Sequence, residues 1–213
     1  PDPIQAAAVA ELAGAHAVSA HLCENRRHIQ DRDIYLLKQT VTTRLNLIIA
    51  PVSEMVQVAL DVIPQIVTLV AEGADERSRD AGLVVRGKER EFAKIVENLR
   101  EHTVAVSLFI DPAVEQVKSA ARTGATHIEL NTEVFANATG KAADEELGRL
   151  ESAAMAAERL GLVVSAGQGL DYHNAPAIAD IKHIAELTIG HALTARAALV
   201  GLDTAVRDMM AVL

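Results

Sequence analysis

The sequence predicts an α/β fold: a (β/α)8 TIM-type barrel that lacks its first strand in this chain. Three observations lead there. Short β-rich apolar runs alternate with helical stretches along all 213 residues. The strand runs are apolar at consecutive positions, as expected for a parallel sheet covered on both faces. About seven such runs occur where a closed barrel needs eight, and the chain opens on a helix, so the absent strand is the first. A doubly wound sheet would fit the same count. The missing first strand and the start at Pro1 rather than Met then read as one feature, a chain that begins after processing or part-way through a longer product.

The elements follow in order. A helix over Pro3–Ala13 is capped by Asp2 with proline at its first position. Strands are expected at Ala17–His21, Leu45–Ile49, Ile66–Val70, Val104–Ile110, His127–Leu130, Leu162–Ser165 and Glu186–Ile189. Helices fill the intervals at Arg32–Gln39, with Asp31 as cap, and at Ser53–Val62, Lys88–Arg100, Pro112–Arg122, Ala142–Arg159, Ala175–Ile181 and Ala192–Val200. A last helix runs from about Thr204 to Leu213. Asp111-Pro112 repeats the cap-then-proline signal. Gly14, Gly124 and Gly161 each follow a helix, where a left-handed residue ends the last turn. No Pro/Gly/Ser linker interrupts the pattern, so residues 1–213 read as one domain.

Composition narrows the function. Half the chain is apolar, enough for a sizeable core and too much for a disordered tail. A net charge of −9 and an aromatic content of 2% disfavour nucleic acid, which calls for a basic face or stacking platforms. The single Cys23 excludes an intrachain disulfide and any multi-cysteine metal site, and fits a reducing, cytoplasmic setting. No apolar run approaches a membrane span, and no leader pattern precedes the first helix. G-x-G-x-x-G, Walker and H-E-x-x-H motifs are absent.

Barrel chemistry sits after the C-terminal ends of the strands. Four such places stand out. The first is His21 through His28, a loop with two histidines and with Arg26 and Arg27, whose guanidinium forks suit phosphate. Taken alone it is equally a solvated loop. The second is Gly167-Gln168-Gly169, where two glycines allow close approach of a ligand to the backbone, or simply make a turn. The third is Gly190-His191, which opens a helix whose free N–H groups attract anions. With one strand preceding Pro1, these last two loops follow strands seven and eight, where barrels commonly hold phosphate. The fourth is Glu129, a carboxyl amid an apolar strand that must be paired, pointed at a ligand, or at a wet strand end. The segment 72–80 is a solvated loop of mixed sign or a lid, and the stretch before the next helix is longer than an ordinary connector, which leans toward a functional loop.

His21-Leu22 with Arg26 through Asp33, Thr43 through Leu47, Val106 through Asp111, Gly169-Leu170, Tyr172-His173-Asn174 and Ile189-Gly190-His191 resemble the pyridoxine 5′-phosphate synthase family, in register from Pro1 to Leu213. The resemblance implies a barrel assembled as a homo-octamer that takes small phosphorylated substrates. These are 3-amino-2-oxopropyl phosphate and 1-deoxy-D-xylulose 5-phosphate; the products are pyridoxine 5′-phosphate, inorganic phosphate and water. No metal or organic cofactor is implied, and neither nucleic acid nor membrane. It assigns His21 as catalytic base and Glu129 as the carboxylate that stabilises the transition state. Arg26, His28, Ser78, Gly169, Gly190 and His191 become substrate- and phosphate-binding positions. Three family positions differ here. A catalytic Glu is Ile48, a catalytic His is Gln168, and a ligand-contacting Arg is Cys23; the family's His-Thr-Gly after Glu129 reads Asn131-Thr132-Glu133. Ile48 cannot move a proton and Gln168 cannot titrate. The alternatives are a non-catalytic phosphate-ligand-binding paralogue or assembly partner, and a barrel enzyme for another phosphorylated ketose.

Overall fold

A computed structural model describes residues 2–71 and 81–213. Seven parallel strands lie in one sheet in chain order: β1 (Val18–His21), β2 (Leu45–Ile49), β3 (Ile66–Leu69), β4 (Ala105–Ile110), β5 (His127–Asn131), β6 (Val163–Gly167) and β7 (Glu186–Thr188). Each pairs only with its sequence neighbours, so the sheet curls into a nearly closed barrel with β1 and β7 as its two margins. A seven-stranded barrel accords with the missing strand.

The helices are α1 (Pro3–Leu12), α2 (Asp31–Thr40), α3 (Ser53–Val62), α4 (Glu89–Glu101), α5 (Val114–Arg122), α6 (Glu133–Asn137), α7 (Lys141–Arg159), α8 (Ala175–Ala179), α9 (His191–Val200) and α10 (Leu202–Val212). The short α6 has no counterpart among the expected elements. Its five residues are too few for a helical apolar period to register.

Alternation along the strands builds the core. Leu45, Leu47 and Ile49 of β2 and Val106, Leu108 and Ile110 of β4 are buried toward the helices, against residues such as Ile34, Leu37, Met55 and Val96. The intervening positions point into the barrel. Asn46 and Ile48 do so from β2, Ser107 and Phe109 from β4, and His127, Glu129 and Asn131 from β5. Burial of the outer set drives folding, whereas the inner set lines the space where chemistry can occur.

The caps bear on the expectations individually. Asp2 caps α1 by accepting from the Ile4 N–H at 2.9 Å. Gly14, Gly124 and Gly161 all take positive φ, as the helix-to-strand turns require. Asp31 is not the cap of α2. Gln30 occupies that position in a capping box with Asp33, and Asp31 instead pairs with Arg26. Asp111 likewise leaves its expected cap to Ala113, because its carboxylate is taken by the Gly82 N–H and the Asn131 amide.

Candidate active site

The C-terminal ends of the strands carry most of the expected residues. His21 ends β1 and lies beside Ile48 of β2 in register; the Leu22 N–H donates to the Ile48 carbonyl at 3.1 Å. Cys23 follows, with a buried thiol. Below His21 and Ile48 a polar chain crosses three strands. The Asn46 amide donates to Ser19 Oγ at 3.2 Å, and Thr68 Oγ1 donates to Asn46 Oδ1 at 2.9 Å. Ile48 therefore stands as an apolar step above a hydrogen-bonded layer.

Glu129 is 5% exposed and projects from β5 across β6 to β7, where Thr188 hydrogen-bonds its carboxyl. Gly167 makes this passage possible. A Cβ there would lie 2.6 Å from Glu129 Oε1 and 3.0 Å from Thr188 Cβ. Burial pushes the carboxyl up to about 7 against the Thr188 hydrogen bond, and nearby Glu186 adds to the rise. A carboxyl so placed can both take and release a proton near neutral pH.

The β6 loop is stapled from β5. Thr132 is fully buried; its N–H donates to the Gly167 carbonyl at 2.8 Å, and its hydroxyl lies 2.8 Å from that oxygen and 2.6 Å from the Gln168 carbonyl. Gln168 has φ +85° and Gly169 φ +75°, so this turn holds two successive left-handed residues, one of them with a side chain. A Cβ on Gly169 would meet Ala136 Cβ at 2.7 Å. Glycine at this position thus accommodates α6 as well as any ligand.

Gly190 caps α9 without a side-chain hydrogen bond, and both Gly190 and His191 are exposed after β7. His28 is exposed in the β1–α2 loop and accepts from Arg27 Nε at 3.1 Å. Ser78 lies outside the described residues.

Arg26 has a different setting from the one its side-chain type suggests. At φ +51° it turns inward, and its Nε and Nη2 bond the two Asp31 oxygens at 3.0 and 3.2 Å. Nη2 also meets Glu54 Oε1 at 2.7 Å. Nη1 reaches the Glu24 carbonyl at 2.8 Å and Met55 Sδ at 3.4 Å. Bonding to Arg26 holds the Asp31 carboxyl below its usual value. The guanidinium therefore ties the β1–α2 loop to the start of α3, and a phosphate would have to displace one of its carboxylates.

Thr188, Thr132 and the Ser19–Asn46–Thr68 chain were not singled out from the sequence. Their signal was available in period two. Thr188 faces the same way as Glu186, and Asn46 the same way as Ile48, on strands already expected. A cleft of about 600 Å³ lies beside the rim, lined by Asp111, Asn131, Glu133, Val134, Glu146 and Arg149. None of the expected site residues that the structure describes lines it. Among the described residues no helix is long and apolar enough to cross a membrane.

Comparison with known proteins adds the following. The family model described as "Pyridoxal phosphate biosynthesis protein PdxJ" matches residues 1–213. The pyridoxine 5′-phosphate synthase of Geotalea daltonii is 49% identical over 211 residues, covering 99% of this chain and 88% of that protein. The Synechocystis protein of the same name is 49% identical over 210 residues, 98% and 87% of the respective chains. Among solved structures, a 3-hexulose-6-phosphate synthase superposes with TM-score 0.68 at 13% identity, covering 99% of this chain and 92% of that one. A native KDPGal structure does so with TM-score 0.71 at 13% identity, over 100% and 88%. At such identities these two bear on the barrel fold alone.

Proposed function

We infer the chemistry from one premise: the chain belongs to the pyridoxal phosphate biosynthesis protein PdxJ family. It is an enzyme that condenses 3-amino-2-oxopropyl phosphate with 1-deoxy-D-xylulose 5-phosphate, giving pyridoxine 5′-phosphate, inorganic phosphate and water. The names of its relatives support this reading, as does their 49% identity across the whole barrel. The observation that carries it is Glu129. A buried carboxyl poised near neutrality, inside the barrel and beside the β6 loop, supplies proton transfer that Ile48 and Gln168 cannot.

In this reading His21 is the base that opens the sequence of proton shifts. Glu129 holds and returns the proton, and Gln168 orients substrate through its amide. His28, Gly190 and His191 hold the phosphate groups, with Cys23, Ser78 and Gly169 at the remaining binding positions. Arg26 joins them only by releasing Asp31 or Glu54. Neither metal nor organic cofactor takes part. The chain works as one barrel domain in a cytoplasmic homo-oligomer, octameric by resemblance, which light scattering tests.

One observation favours a second reading. Two of the family's proton-handling positions are Ile48 and Gln168, which suits a protein that binds phosphate esters without turning them over. A phosphate-release assay with both substrates, paired with calorimetry using 1-deoxy-D-xylulose 5-phosphate, separates the two. Phosphate release with formation of the pyridine ring supports the synthase. Binding without release supports the second reading, and neither binding nor release defeats both.

A further inference from the structure

Beneath Glu129 the barrel contains charges that the chemistry above leaves unused. Glu186 opens β7 and lies one side-chain layer below Thr188, the residue that holds the Glu129 carboxyl. Glu186 Oε1 accepts from Arg44 Nη1 at 2.5 Å. Arg44 directly precedes β2, so this pair links the foot of β2 to the foot of β7. His127 stands one layer below Glu129 on β5; burial holds its imidazole below the usual value, Glu186 opposes that and Arg44 reinforces it. Four charged or titratable groups from the turn into β2 and from β5 and β7 thus lie near one another, Arg44 and Glu186 still partly exposed.

We propose that the Arg44–Glu186 ion pair is the positioning element for Glu129, anchoring the foot of β7 so that Thr188 meets the carboxyl and setting the charge beneath it. This rests on the reading of Glu129 as the proton-handling group. Among the described residues few charged groups lie near Glu129. Glu186 of β7 acts on it directly, and His127 of its own strand and Arg44 in the turn into β2 lie around Glu186. Its register partners Phe109 on β4 and Ser165 on β6, and Gly167 beyond, carry nothing titratable. On β1 and β3 the inward residues are Ser19, His21, Ile66 and Thr68, of which only His21, at the mouth, is titratable.

Even beside Arg44, Glu186 raises Glu129, and the guanidinium offsets part of that charge. Loss of Arg44 leaves a bare carboxylate under Glu129 and favours the protonated acid. Loss of the Glu186 charge leaves Arg44 alone and favours the carboxylate. The two variants must therefore move Glu129 in opposite directions, which a merely structural pair would not do.

The test is the Glu129 titration midpoint in the full chain, read from its carboxyl infrared band and assigned by the band's loss in Glu129→Gln. Arg44→Met should raise the midpoint by about one pH unit and Glu186→Gln should lower it by about as much. Arg44→Lys, which keeps the charge, should restore it to within roughly a few tenths. Folded Arg44→Met and Glu186→Gln proteins with unmoved midpoints, or with shifts of the same sign, overturn the proposal. If Arg44→Met fails to fold, Glu186→Gln and Arg44→Lys decide it. The titration needs no substrate, so a chain that never releases phosphate defeats the functional reading and leaves this result standing.

Discussion

Replacing Glu129 by glutamine is expected to stabilise this protein at neutral pH and to remove a pH dependence from its folding. Burial lifts the carboxyl from 4.5 to about 7. The unfolded chain gives up this proton near 4.5 and the folded chain near 7. Between those values the folded state binds more protons, so stability falls as pH rises. The contribution is complete below the lower value and lost above the upper one. At 1.36 kcal/mol per pH unit the gap corresponds to about 3 kcal/mol. Glutamine has nearly the same shape, keeps an acceptor for Thr188 and has no charge to bury. Urea denaturation at pH 5.5 and pH 8 gives the comparison. The stability advantage of Glu129→Gln should widen by about 2 kcal/mol between the two. An advantage that stays constant, or that shrinks toward pH 8, refutes the assignment of Glu129 as a buried, near-neutral acid.

Three further outcomes follow from the same geometry. Gly167→Ala places a methyl 2.6 Å from Glu129 Oε1; it should lower stability by about 1–3 kcal/mol in urea melts, and an unchanged midpoint would contradict the close passage. Arg26→Met removes bonds to Asp31, Glu54 and Glu24 and should lower stability by about 1–2 kcal/mol. A variant of full stability that no longer binds 1-deoxy-D-xylulose 5-phosphate in calorimetry would instead assign Arg26 to phosphate. The double change Ile48→Glu with Gln168→His restores two titratable groups and should raise the phosphate-release rate by about 10² or more. No increase would place the deficit elsewhere in the barrel.

The strands were legible in the sequence because each is a short β-rich apolar run set between helical stretches. All seven appear, β2 with the expected limits, β6 shifted at both ends and the others by one residue at one end. Glu129 was legible for a physical reason, since an acidic residue in such a run must find a partner or a ligand. The partner was not, because Thr188 is 59 positions away and no local pattern joins them. The partners of Arg26 were likewise not legible. Its residue type suits phosphate, whereas the carboxylates that engage it, Asp31 and Glu54, are brought in by the turn into α2 and by the first turn of α3. Asp111 shows the same effect, a cap by sequence and a tertiary acceptor by structure.

That acceptor has a mechanical consequence. Asp111 Oδ1 receives both the Gly82 N–H and the Asn131 amide; Asn131 Oδ1 in turn receives the Glu133 N–H, and Thr132 between them grips the carbonyls of Gly167 and Gln168. Four segments far apart in the chain are laced together along the barrel's lip. Slackening any one knot loosens the others, so Gln168 owes its poise to a carboxylate two strands away.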